Sequence, residues 1–176
     1  MVNKLKAILL ARQLKQHRCS PQAAGATTNL ATAKTITLLF PATGPADTKT
    51  LKTWAENRRK SKQQVQLVAY HPTAPADHGH PTLHPSDKSW YGGFKGPTYD
   101  TFRSEKTDLL LRLGPPTHPE LDQLAGVKPA ALSVGPYGGE SKVYDLFYDA
   151  GKDATFADQL RAIESIFRYT NASSKS

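Results

Sequence analysis

Short apolar, β-branched runs alternate along this chain with stretches whose apolar positions recur at helical spacing. Thr35–Phe40 is the first such run; Pro41 stops it, and Pro41–Pro45 reads as a connecting loop. Asp47 or Thr48 caps a predicted helix over roughly 47–61 that turns Leu51, Trp54 and Ala55 inward. Arg58, Arg59, Lys60 and Lys62 crowd its end, where the helix dipole favours cations. Gln64–Tyr70 is predicted as the second strand. The stretch 71–88, dominated by Pro and His, predicts an exposed loop, and Ser89–Phe94 a short strand.

Beyond Gly96 and Pro97 the pattern predicts a weak helix over 98–105, then a clear strand over Asp108–Leu113 ended by Gly114, Pro115 and Pro116. A short helix over 118–124, a strand over Ala131–Val134 and a strand over Val143–Tyr148 follow; the alternation in the last fits an edge position. Thr155 and Asp158 have capping-box spacing, and Phe156, Leu160, Ile163 and Phe167 then mark one apolar face of a closing helix. No internal repeat is visible.

Strands alternating with helices predict a mainly parallel sheet covered on both faces. Right-handed crossovers make this a three-layer Rossmann- or flavodoxin-like α/β fold, expected as a single domain over 34–170. Ahead of it, residues 1–18 predict a helix with Asn3 as N-cap. Leu5, Ile8 and Leu9 lie on one stripe, while Leu10 and Leu14 lie on another side. Residues 19–33, small and polar, read as a linker, and 171–176 as a tail.

Charge changes this picture more than composition does. The net charge of +8 is uneven: residues 1–46 hold Lys4, Lys6, Arg12, Lys15, Arg18 and Lys34 and no acid. The rest is nearly balanced, with 17 basic side chains against 15 acidic. A basic arm on a near-neutral body favours a polyanion, either RNA, DNA or an anionic membrane surface. Cys19 is the single cysteine, so no internal disulfide is expected. The only candidate signal core, Ala7–Ala11, is cut short by Arg12, and no run reaches membrane-spanning length, so a cytoplasmic protein is expected.

The layout resembles a family of short proteins from Bacteroidota that is known only as a domain of unknown function. The resemblance rests on the Lys-rich N-terminal helix, the Ile36–Phe40 strand with its Thr43-Gly44 turn, Trp90-Tyr91-Gly92, the strand from Asp108, and the run ending at Gly135. It covers nearly the whole chain and implies class and compartment, but no activity. More locally, Asp108–Leu113, Leu124–Gly126 and Ser133–Gly135 look like the end of the N-terminal half of heptosyltransferase-like glycosyltransferases. Those enzymes hold the nucleotide sugar mainly with a second Rossmann domain, for which this chain has no room. That resemblance implies the fold and argues against the activity.

Candidate chemistry is sparse. His71, His78, His80 and His84 lie close together, and His78, His80 and His84 are the candidates for a metal. Pro72, Pro75, Pro81 and Pro85 interrupt them in no zinc-motif spacing, so a solvated loop is expected, with no metal or cofactor. The loop after the first strand carries neither Gly-rich phosphate motif, although Thr43, Gly44 and the helix start behind them would meet an anion. No nucleophile elbow occurs and Cys19 lies outside the predicted core, so no catalytic residue is assigned. Asp145 and Asp149 share one face of the predicted edge strand, which a solvated face explains.

The leading expectation is a non-enzymatic binding module. Its body docks on a protein partner while Lys4, Lys6, Arg12, Lys15 and Arg18 contact a polyanion, with RNA of a ribonucleoprotein particle as first choice. A peripheral protein using the same helix on an anionic membrane is the runner-up. A third reading is a small enzyme or nucleotide or sugar binder at the C-terminal strand ends, with Thr43, Gly44, His71, Gly114, Gly135 and Tyr137 as ligand-binding candidates.

Overall fold

Ile36, Leu38 and Phe40 alternate with Thr37 and Leu39 along the first strand, and period-2 geometry sends the two sets to opposite faces of a sheet. In the computed structural model, which describes residues 28–42, 45–73, 79–138 and 143–172, each face builds its own core. On one side Ile36, Leu38 and Phe40 of β1 (Thr35–Pro41) join Val65, Leu67 and Ala69 of β2 (Gln64–Tyr70) and Leu109 and Leu111 of β4 (Thr107–Arg112). Leu51 and Ala55 of α1 (Pro45–Lys60) and Leu160, Ile163 and Phe167 of α4 (Phe156–Ala172) close that face. On the other side Leu39, Val68, Tyr70 and Leu110 pack under α2 (Pro97–Ser104) and α3 (Pro119–Val127), through Tyr99, Phe102, Leu121 and Leu124.

Adding β3 (Thr82–Leu83), β5 (Ala130–Pro136) and β6 (Leu146–Tyr148) gives six strands in the order β3-β2-β1-β4-β5-β6, and every strand pairing is parallel. The chain builds outward from β1 through β3, then crosses back to β4 on the other side of β1. The order therefore reverses between β1 and β4, as in the doubly wound α/β folds. The expected three-layer fold is present, and so is the capping box that starts α4. The Asp158 carboxylate accepts the Thr155 N–H at 3.1 Å, and Thr155 Oγ1 accepts the Asp158 N–H at 3.3 Å.

Three local expectations need correction. The segment 71–88 is not loop throughout: Thr82–Leu83 adds as a strand beside Ala69 and Tyr70, and a 3₁₀ turn follows at Pro85–Asp87. Leu83 is fully buried, but one apolar side chain among prolines and histidines shows no period. Ser89–Phe94 is not a strand. The Gly92 N–H donates to the Ser89 carbonyl, Gly92 has φ +89°, and the chain doubles back so that Lys88 bridges Phe94 antiparallel. The last strand is shorter than expected, and Asp145 lies ahead of it with its carboxylate accepting the Ser133 N–H at 2.8 Å and Oγ at 2.7 Å. Asp145 and Asp149 therefore do not form a pair on one strand face.

The end of the expected linker belongs to the body. Leu30 and Ala33 are buried, and the Gln63 amide donates to both their carbonyls at 2.8 Å. The predicted helix over 1–18 and the linker up to residue 27 lie outside the described residues.

At Gly135 an added Cβ would stand 2.6 Å from the Tyr144 ring. Gly135→Ala is therefore expected to cost about 1–3 kcal/mol, because an aromatic packed against backbone has no room to give. Urea denaturation reads this directly, and an unchanged midpoint would show that the ring shifts freely.

Candidate functional site

A crevice of about 380 Å3 lies over the carboxyl ends of β1, β4, β5 and β6, at the reversal of strand order. Its wall includes Pro41, Gly114, Pro115, Pro116 and Tyr137, and its far side is the turn from Asp149 into α4. Gly114 has φ +108°, and a Cβ there would lie 2.7 Å from the Pro41 ring, so two loops meet over a position that glycine alone fits. The floor is a closed polar set. Gln159 Oε1 accepts the Gly114 N–H at 2.7 Å and the Tyr148 hydroxyl at 2.9 Å, while Gln159 Nε2 donates to the Ala154 carbonyl at 3.1 Å. Burial pushes the Tyr148 phenol well above its usual range, so it acts as a fixed donor.

Below this end of the sheet, on the α3 side, sits the fully buried Arg112. Its Nη1 donates to the Pro115 carbonyl and its Nε lies 3.4 Å from the Asp122 carboxylate. Asp122 also accepts the Tyr144 hydroxyl at 2.5 Å, and burial raises that phenol too. His118 caps α3; burial lowers its pKa and outweighs the attraction of Glu120, 3.4 Å away. Burial alone would raise Glu120, but its hydrogen bond from Lys88 at 3.1 Å prevails and holds the carboxyl below its ordinary value. This arrangement ties α3 and the turn before it to the sheet.

The opposite end of the sheet has a different character. Strands start there and helices end there, so helix dipoles and sequence together gather cations. Lys34 precedes β1, Arg59, Lys60 and Lys62 lie at the end of α1, and Lys106 precedes β4; all five are exposed. A groove of about 700 Å3 runs across the starts of β1 and β2, with Thr35, Thr37, Gln64 and Gln66 along it and Lys52, Glu56, Arg59, Glu105, Lys106 and Lys128 around it. Lys128, the C-cap of α3, is buried; its Nζ donates to the Phe102 carbonyl at 2.9 Å and lies 4.8 Å from the centre of that ring. Burial pulls its pKa down to about 8 against the opposing field of Glu105.

Residues 6–168 match the model of a Family of unknown function (DUF6913). The chain belongs to that family. No curated protein and no solved structure matches it.

In this DUF6913 chain the ligand-binding candidates separate. Gly114 and Tyr137 face the crevice, with Tyr137 exposed, while Gly135 lies beneath it against Tyr144. His71 stands at the end of β2, where its Nδ1 is engaged with Thr73. Thr43, Gly44 and His78, and the arm residues Lys4, Lys6, Arg12, Lys15 and Arg18, lie outside the described residues. The His80 ring packs 5.5 Å from Phe40, and the buried His84 precedes the 3₁₀ turn, its N–H donating to Asp87. Among the described residues no group of three or more His, Cys, Asp or Glu could hold a metal, and no helix is long and apolar enough to cross a membrane.

Sequence reasoning passed over Arg112, Gln159 and Lys128. Arg112 follows three leucines in its strand, and Lys128 stands between Val127 and Pro129. A charge inside an apolar run was the available signal, although many such residues are merely surface ones.

Proposed function

We propose that this protein is a non-enzymatic binding module whose basic N-terminal segment and basic sheet end together contact a polyanion, RNA by first choice. The observation that carries this reading is continuity: the acid-free stretch of sequence runs on through Lys34, which precedes β1 at the end of the body that presents Arg59, Lys60, Lys62 and Lys106. The family match starts at residue 6, so it takes in most of the basic segment as well as the α/β body. We further read the protein as cytoplasmic, on its single Cys19, and as one of the Bacteroidota proteins it resembles.

Neutralising phosphates with Lys4, Lys6, Arg12, Lys15 and Arg18 releases counterions, which sets the expected salt dependence. For five contacts on a single strand, log affinity is expected to fall with a slope of about −3.5 against log salt, roughly a hundredfold between about 50 and 200 mM. Co-sedimentation with ribosomes and total RNA across a salt series, with a variant lacking residues 1–20 as control, tests this. Equal binding by both proteins at low salt would remove the arm from the contact. Binding to acidic liposomes without RNA binding would transfer the reading to a membrane surface. If neither binds, the crevice at the strand-order reversal, where open α/β sheets take ligands, leads to a small-molecule reading and a screen of nucleotides and sugar nucleotides.

A further inference from the structure

We propose that the groove across the starts of β1 and β2 is a phosphate subsite of this polyanion surface, with the Lys128 ammonium as its anchoring donor. The inference rests on the polyanion reading above and adds to it where the backbone runs and which side chain fixes it. An ammonium carries three N–H donors. Among the described residues Lys128 has one hydrogen-bond acceptor, the Phe102 carbonyl, which is an unpaired carbonyl of the last turn of α2. Its remaining donors belong to a side chain that is 5% exposed and lines the groove.

A buried cation with one neutral acceptor is poorly compensated, and an anion in the groove supplies what is missing. The surroundings favour an anion. Lys52 and Arg59 from α1 and Lys106 from the start of β4 face the groove, against Glu56 from α1 and Glu105 after α2, with His80 at its rim. Thr35 and Gln64 add neutral groups of the kind that hydrogen-bond phosphate oxygens, while Thr37 donates to Gln66 and Gln66 to Glu105. A volume of about 700 Å3 takes a nucleotide-sized segment of backbone. The groove also opens at the end of the body where the exposed Lys34 precedes β1.

A phosphate beside Lys128 favours its protonated form, and this gives the subsite a signature that surface lysines lack. The ordinary lysine value lies well above the pH range in which proteins are handled, but burial pulls that of Lys128 down to about 8. Binding is therefore expected to weaken as pH rises through that value. The test is fluorescence anisotropy of full-length protein with a labelled oligouridylate at low salt, from about pH 6.5 to about 9.5, for the wild type, Lys128→Met and Lys128→Arg. Lys128→Met is expected to bind about tenfold more weakly at neutral pH and to lose the weakening near pH 8. Lys128→Arg keeps the charge at every pH, so it is expected to bind well with a flat profile. If Lys128→Met binds like the wild type with the same pH profile, the groove is not the subsite, while the polyanion reading stands. If none of the three proteins binds, the polyanion reading itself falls and the subsite with it. Should Lys128→Met lack its fold by circular dichroism, the Lys128→Arg profile decides alone: a step near pH 8 that persists would overturn the assignment.

Discussion

Asp122→Ala is expected to destabilise the fold by about 3 kcal/mol, whereas Arg112→Met is expected to cost far less. The asymmetry follows from burial. Arg112 is fully buried, and Asp122 is the carboxylate beside its Nε; Nη2 has no acceptor among the described residues. Removing Asp122 leaves a guanidinium in a low-dielectric core with the Pro115 carbonyl as its neutral partner, and strips the Tyr144 hydroxyl of its acceptor. Removing Arg112 instead leaves a carboxylate that is 15% exposed and still hydrogen-bonded to Tyr144, and the methionine fills much of the volume. Urea denaturation of the two variants and of the double variant gives the comparison. If Asp122→Ala unfolds at the wild-type midpoint, the pair is not what ties α3 to the sheet.

Lys128→Met is expected to act in the opposite direction and to stabilise the protein at neutral pH, by on the order of 1–3 kcal/mol. Burial lowers the Lys128 pKa from 10.5 to about 8. Below about pH 8 the folded and unfolded states both carry the proton, and the full cost of a buried ammonium is present. Between about 8 and 10.5 the unfolded chain binds more protons than the folded one, so stability rises with pH and the cost is relieved. Several buried tyrosines, Tyr144 and Tyr148 among them, work against this above about pH 10, because their phenols ionise first in the unfolded chain. The measurement is therefore the difference between wild-type and Lys128→Met stability, in which the tyrosines cancel. It should be largest near neutrality and shrink as pH rises from about 8. A methionine variant that is less stable at pH 7 would mean that the hydrogen bond to Phe102 and the ring contact outweigh desolvation. A residue that lowers stability where it stands, yet lines a basic groove, fits the usual tension between stability and binding.

Local pattern carried most of the architecture. The Thr35–Phe40 and Gln64–Tyr70 runs are apolar and β-branched, and the spacing of Phe156, Leu160, Ile163 and Phe167 suits one face of a helix. Strands and helices that alternate in this way have few ways to bury both sheet faces, so the doubly wound class followed from the chain alone. The basic segment ahead of them was equally legible, because charge is a property of composition.

Contacts between distant segments decided the rest. Thr82–Leu83 is a strand because Ala69 and Tyr70 leave an edge for it, and its own residues carry no period that says so. Ser89–Phe94 has strand-like aromatic content, yet Gly92 at positive φ folds it back on itself. Arg112 looks like any charge near the end of a strand until α3 brings Asp122 beside it. Lys128 looks like any lysine after a helix until the last turn of α2 offers it the Phe102 carbonyl. Periodicity records how a segment meets its immediate neighbours along the chain. Burial of a charge depends on which other element arrives opposite it, and that is settled only when the layers close.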